Sequence, residues 1–411
     1  AAADLPLQLM AVALAYDNYV GKIATGRLSQ GRIAVGDTVL HLRRDGTQAP
    51  VKVATLMTYV GLQRAAADSA IAGDIVAISG IADISIGDTL TDIEHPQPTP
   101  PLEIELPTVK MNFLVNTSPF AGKEGQYSTS RNLRERLARE LETDVALRVA
   151  KTASADTFEV SGRGELHLGI LIEKMRREGY EFAVSRPEVI LREENGVTLA
   201  PYEQLFVEVP ETYVGIVIEK MGRRTGELKD MKIDGGQAHL DFIIPTHGLF
   251  GYRNEFLTDT KGTGIMNTLF HGYQPYSGQI ESNPHGSLIA SESGETNSYG
   301  MINAQGRGAL FIQPGVAVYA GQVVGQNGRD EDIEVNVCKA KRLSNMRSKG
   351  EGNTERLETP RVMSLDESLE YIGDDELVEV TPKNIRLRKR LLSTIDRVRD
   401  RKKMEVVSGS Q

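Results

Sequence analysis

The segment "EHPQPTPPLEIELP", Glu94 to Pro107, limits what this chain can fold into more than any other stretch. Five of its fourteen residues are proline. Proline has no amide to donate to a sheet ladder, and it pushes the preceding residue toward extended backbone. The segment fits neither a central strand nor a helix. Residues 93–107 therefore read as a linker, and the hydrophobic periodicity changes across it.

Residues 1–92 read as β throughout. Short runs rich in Val, Ile and Thr, such as "GRIAVGDTVL" and "AGDIVAISGI", are broken by Gly-Asp pairs at Gly36-Asp37, Gly73-Asp74 and Gly87-Asp88. Such pairs are turn residues. Many short strands with no helical pattern predict a small closed β-barrel. The apolar opening "LPLQLMAVALAY" is too short to span a bilayer and reads as a strand, so no membrane association is expected.

After the linker, strand and helix patterns alternate. "TVKMNFLVN" is a strand, and "YSTSRNLRERLAREL" carries leucines at helical spacing. "DVALRVAK" and "DTFEVSG" are strands, "GELHLGILIEKMRREG" a second helix and "YEFAVSRPEV" a closing strand. This βαββαβ order over 108–192 is the ferredoxin-like plan. Residues 200–278 repeat it, from "YEQLFVEVP" to "TGIMNTLFHGY". Residues 279–411 are glycine-rich with β-like runs, then a short acidic helix, a strand, a basic segment and a C-terminal helix. The expected fold class is multidomain β and α+β: a barrel, two ferredoxin-like domains and a mostly β C-terminal domain.

The 411-residue chain carries a net charge of −9, but the charge is segregated. Asp366 to Val380 holds seven acids and no base, whereas Lys383 to Arg390 holds five bases and no acid. Lys339 to Lys349, inside the stretch 339–352, holds five bases and no acid. Segregated charge is what local electrostatic binding needs. The 339–349 segment has no aromatic on which a base could stack, so it suits phosphate contacts. Lys383, Arg386, Arg388, Lys389 and Arg390 fit two readings equally: a strand edge facing RNA, or an internal partner for the acidic run.

Signs of catalysis are scarce. The single cysteine, Cys338, allows no intrachain disulfide and fits a reducing cytoplasm. The seven histidines form no metal-ligand spacing. His167 reads as a helix-face histidine with no nucleophile beside it. "SPFAGKEG" fails as a phosphate loop, because Thr117 stands where the first glycine belongs and Glu124 where Ser or Thr follows the lysine. "DTKG" at Asp259 reads as a turn. No catalytic residue, cofactor site or metal site is expected in this chain.

"VSGRGELHLGILIEKMRREG" resembles the domain III signature of translational GTPases of the elongation factor G group. "GRLSQGRIAVGDTVL" resembles their β-barrel domain II, and "PTHGLFGYRNEFLTDTKGTGIM" their domain V-like module. "MSLDESLEYIGDDELVEVTPKNIRLRKR" and "NMRSKGEG" resemble the C-terminal domain peculiar to the TypA/BipA family. The resemblance runs along essentially the whole chain. It implies a GTPase domain, with GTP and Mg, ahead of the barrel; the P-loop, DxxG and NKxD of such a domain are not found here. This chain would be the ribosome-docking portion of a factor in 50S assembly and stress or cold translation. It would be a cytoplasmic monomer without GTPase activity of its own. The resemblance implies contacts from Lys341, Arg342, Asn345, Met346, Arg347, Ser348 and Lys349 to rRNA on the 70S ribosome or the 50S subunit, reaching toward the acceptor arm of an A-site tRNA; Lys339 joins them as an RNA-binding candidate by its charge. The alternative is a scaffold whose acidic tail binds a basic protein.

Overall fold

The computed structural model describes residues 3–17, 19–61, 63–100, 106–278, 286–340 and 356–408. Two compact units are present: residues 1–107 with 134–149, and residues 108–133 with 150–411.

In the first unit an antiparallel path runs Gln48–Lys52, Thr38–Leu42, Thr89–Thr91, Gln8–Met10, Gly21–Gln30, Ile75–Ser79, Thr55–Val60, Gln63–Ala66. The three Gly-Asp pairs make one turn three times over. Each glycine has positive φ (91°, 110° and 91°), where an L side chain is strained. Each following aspartate accepts the amide of the residue three before it: Ala34 at 2.8 Å, Ile71 at 3.0 Å and Ser85 at 2.8 Å. Leu9, Leu28, Leu56, Val76, Ile78 and Leu90 fill the core.

The expectation of a closed barrel is corrected here. Among the described residues no ladder joins Gln48–Lys52 to Gln63–Ala66, so the sheet curls around its core without closing. A separate short ladder, Arg32–Ala34 with Ser69–Ile71, inserts Ile33 and Ala70 into that core.

In the second unit, Thr157–Gly162, Val109–Leu114 and Phe182–Val184 lie side by side in the order 3-1-4 of the ferredoxin-like plan, with helix Glu165–Arg177 between the last two in sequence. The second βαββαβ repeat has the same order. Glu227–Asp234, Gln237–Pro245, Val197–Pro210 and Ile265–Pro275 lie side by side. Helices Val214–Arg223 and Tyr252–Asp259 supply Val217, Met221, Tyr252 and Phe256 to its core. The "DTKG" stretch is the turn ending the second helix, where the Gly262 amide donates to the Leu257 carbonyl at 2.7 Å.

Apart from the short ladder of Gly294–Glu295 with Ala317–Val318, the described strands of the C-terminal region join a sheet already begun. Phe182–Val184 pairs antiparallel with Glu376–Val380, which pairs with Ile385–Lys389, then Gln322–Asn327, Ser287–Ala290 and Ile333–Val335. One eleven-stranded sheet thus runs from the first ferredoxin-like repeat into the C-terminal region. A capping box at Ser364 and Glu367 starts the acidic helix Leu365–Tyr371.

Candidate nucleic-acid interface

Residues 341–355 lie outside the described residues, and with them Lys341, Arg342, Asn345, Met346, Arg347, Ser348 and Lys349. Both approaches to that stretch are described, and both are tied to helix Ser298–Gln305. At its start, Asn297 accepts the Gly300 amide at 2.9 Å, capping the helix, and its Nδ2 donates to the Cys338 carbonyl at 2.7 Å. A Cβ on Gly300 would fall 2.5 Å from the Val337 carbonyl oxygen, so only glycine permits this approach. At its end, Gln305 donates to the Arg356 carbonyl at 2.9 Å and accepts the Glu358 amide at 3.1 Å. Lys339 is exposed beside this anchor. Burial, with Glu292 adding, pushes the Cys338 thiol up and disfavours a reactive thiolate.

The second basic stretch is mostly turned inward. Lys389 is 2% exposed, and its Nζ lies 2.6 Å from Asp332, 3.0 Å from Asp375 and 3.0 Å from Glu376. Burial works against its charge, but these carboxylates outweigh it and hold its pKa above the ordinary lysine range. Arg386 pairs with Glu124 and, at 2.9 Å, with Glu379, whose other oxygen accepts the Tyr319 hydroxyl at 2.5 Å. The Arg386 guanidinium also lies 5.2 Å from the Phe120 ring centroid. Arg388 is buried and donates to Thr117 at 3.0 Å; burial lowers its pKa. Of the two readings of this stretch, the RNA-facing edge is therefore corrected for Arg386, Arg388 and Lys389. Arg388 and Lys389 are buried, and Arg386, 10% exposed at its side chain, is held between Glu124 and Glu379. Lys383 and Arg390 stay exposed.

The failed phosphate loop has a role in the same network. Glu181, 2% exposed, accepts the amides of Gly122 at 2.7 Å and Gly125 at 2.9 Å, and the Asn116 amide group at 2.9 Å. A carboxylate of the chain itself thus occupies amides that an anion would need. Glu124 from that loop also accepts from Thr381 at 2.5 Å and Asn384 at 3.0 Å. Reading the sequence missed Glu124 and Tyr319, which lie 262 and 60 residues from the groups they hold. No local pattern marks them. The available signal was an acid-free basic run lying just after the acidic run 366–380.

His167 accepts the Arg163 amide through Nδ1 at 3.2 Å, bracing the turn before its helix. The neighbouring Glu165 carboxyl is pushed up to about 8, by burial first and then by Glu370 and Asp366, with Arg186 opposing. Between pH ~4.5 and ~8 the unfolded chain releases this proton while the folded chain keeps it. Stability should therefore fall as pH rises through that window. Glu165→Gln should flatten the fall and raise stability at pH 8 by roughly 1–3 kcal/mol. Urea denaturation of both proteins at pH 5 and pH 8 checks this; parallel pH profiles would refute it. Among the described residues no three His, Cys, Asp or Glu side chains gather as metal ligands, and no helix is long and apolar enough to cross a membrane.

Comparison with known proteins adds to this geometry. Residues 285–394 match the family model described as the TypA/BipA C-terminal domain. Residues 197–284 match the elongation factor G C-terminus, and 21–91 match elongation factor Tu domain 2. The chain is 47% identical over 410 residues to the large ribosomal subunit assembly factor BipA of Bacillus subtilis (strain 168), covering 99% of this chain and 67% of that protein. Identity to the factor of the same name from Synechocystis sp. is 50% over 385 residues, 93% of this chain and 64% of the relative. For Haemophilus influenzae it is 46% over 398 residues, 96% and 65%. The chain thus spans about two thirds of the length of these curated relatives.

Proposed function

The chain belongs to the TypA/BipA family, and from that premise we propose that it is the ribosome-docking portion of a translational GTPase acting in large-subunit assembly and in translation under cold or other stress. The observation that carries this reading is the 47% identity to a large ribosomal subunit assembly factor across 99% of the chain. The partners are the 70S ribosome and the 50S subunit in the cytoplasm. GTP and Mg belong to the GTPase domain of the longer protein, and this chain does not hydrolyse GTP by itself.

Docking runs through rRNA phosphates. Lys339 and the stretch 341–349 supply acid-free positive charge, and the tethers from Asn297 and Gln305 set where that stretch leaves the domain. The stretch reaches toward the acceptor arm of an A-site tRNA. Lys383 and Arg390 add exposed charge, while the inward bases serve the fold. The rival scaffold reading loses ground, because Glu376 and Glu379 of the acidic run are buried against Lys389 and Arg386.

Co-sedimentation with 70S particles and separated subunits across a salt series tests the proposal. Saturable, ribosome-specific binding with a steep salt slope is expected, at about 0.7–0.9 log units per phosphate contact. Arg347→Glu combined with Lys349→Glu should weaken binding roughly tenfold or more at 50 mM salt. Unchanged co-sedimentation of the double variant would remove this stretch from the interface.

A further inference from the structure

We propose that the C-terminal helix Thr394–Ser408 is a second RNA-backbone contact, made by Arg399, Lys402 and Lys403; the proposal rests on the ribosome reading above. The family model for the C-terminal domain ends at residue 394, so the match assigns this helix nothing. Its first turn is pinned. Arg397 donates to Glu334 at 2.6 Å and to the carbonyls of Leu391 and Leu392 at 3.0 and 2.6 Å, and the Thr394 hydroxyl reaches the same Glu334. Those bonds fix which side of the helix faces the domain.

At about 100° per residue, Arg399, Lys402 and Lys403 fall on the side opposite Arg397, within roughly a 100° arc. All three are exposed. Arg399 is 73% exposed, and among the described residues the acid it pairs with, Asp396, is 3.8 Å away on the same helix. An exposed pair of that length contributes little and leaves the guanidinium open to a stronger partner. Positions three and four apart on a helix are neighbours, so the three bases form one cationic patch. Arg390, 48% exposed and 3.9 Å from Asp400, lies at the same end of the chain. Ten residues from Thr394 hold five bases and two acids, within a chain of net charge −9.

A membrane surface is the competing occupant of a basic helix. It would need a continuous apolar stripe beside the charge. By sequence the helix carries Ile395, Val398, Met404, Val406 and Val407, and at about 100° per residue these positions scatter over roughly a 240° arc and make no single stripe. Phosphates of RNA need no such stripe.

The test uses the full chain and a triple variant, Arg399→Glu, Lys402→Glu and Lys403→Glu, with circular dichroism confirming that both are folded. Binding to 70S ribosomes and to purified 23S rRNA is followed across a salt series. Three lost contacts should lower the slope of log affinity against log salt by about 2.1–2.7. Raising salt fourfold should then weaken the variant roughly 20- to 40-fold less than the parent. An unchanged slope on both RNAs overturns the proposal. Parent binding to rRNA that the triple variant loses, with no ribosome binding by either, upholds the helix contact and overturns the docking reading alone. A variant defect seen only with anionic phosphatidylserine vesicles overturns the RNA assignment in favour of a lipid surface.

Discussion

Lys389→Met is expected to lower stability by about 3–5 kcal/mol, the usual cost of removing one partner from a buried charge cluster. The ammonium sits between Asp332, Asp375 and Glu376, and Glu376 is itself 4% exposed. Glu376 cannot swing out to water, because it also holds the Ser287 hydroxyl at 2.6 Å and the Gly373 amide at 2.9 Å. The variant leaves that carboxylate buried with no cation beside it. Lys383→Met, at an exposed position in the same basic stretch, should stay within about 0.5 kcal/mol of the parent. Denaturant midpoints of the two variants separate the cases. Equal, small effects would mean that the basic stretch is a solvated face after all.

Phe182→Ala should cost about 3–5 kcal/mol, from the lost transfer energy and the cavity left behind. Phe182 is 1% exposed and stacks on Phe113 with ring centroids 5.6 Å apart. Its strand lies between Val109–Leu114 and Glu376–Val380, at the seam of the eleven-stranded sheet. The damage should therefore spread both ways. Amide exchange should lose protection over 109–114 and 376–389 together. Loss confined to one side would show that the two halves of the sheet open independently.

The local elements were legible because their causes are local. Leucines at helical spacing marked helix Ser130–Leu141, and the Gly-Asp pairs marked turns whose glycine φ and aspartate bonds need only four residues. The failed loop at Gly122 was rejected on two residue identities alone. The barrel-like architecture was read correctly and only its closure was over-read, since strand content does not say whether the last ladder closes. A boundary near residue 279 was expected from a change of composition. The family matches change close to it, between residues 284 and 285. Composition did not show that one sheet runs on from Phe182–Val184 to Glu376–Val380, because backbone pairing leaves no mark in side-chain composition.

Element order, family membership and two acid-free basic stretches can all be read from residue identities and their spacing. Tertiary structure decided what the charges of the second stretch do. Strand alternation puts Arg386 and Arg388 on one face and Lys389 on the other, yet all three are largely covered, because partners arrive on both faces from Thr117, Phe120, Glu124 and Asp332. A charge in a sequence is free or paired according to what folds against it. That neighbour, up to 271 residues away in this chain, is set by packing and not by spacing.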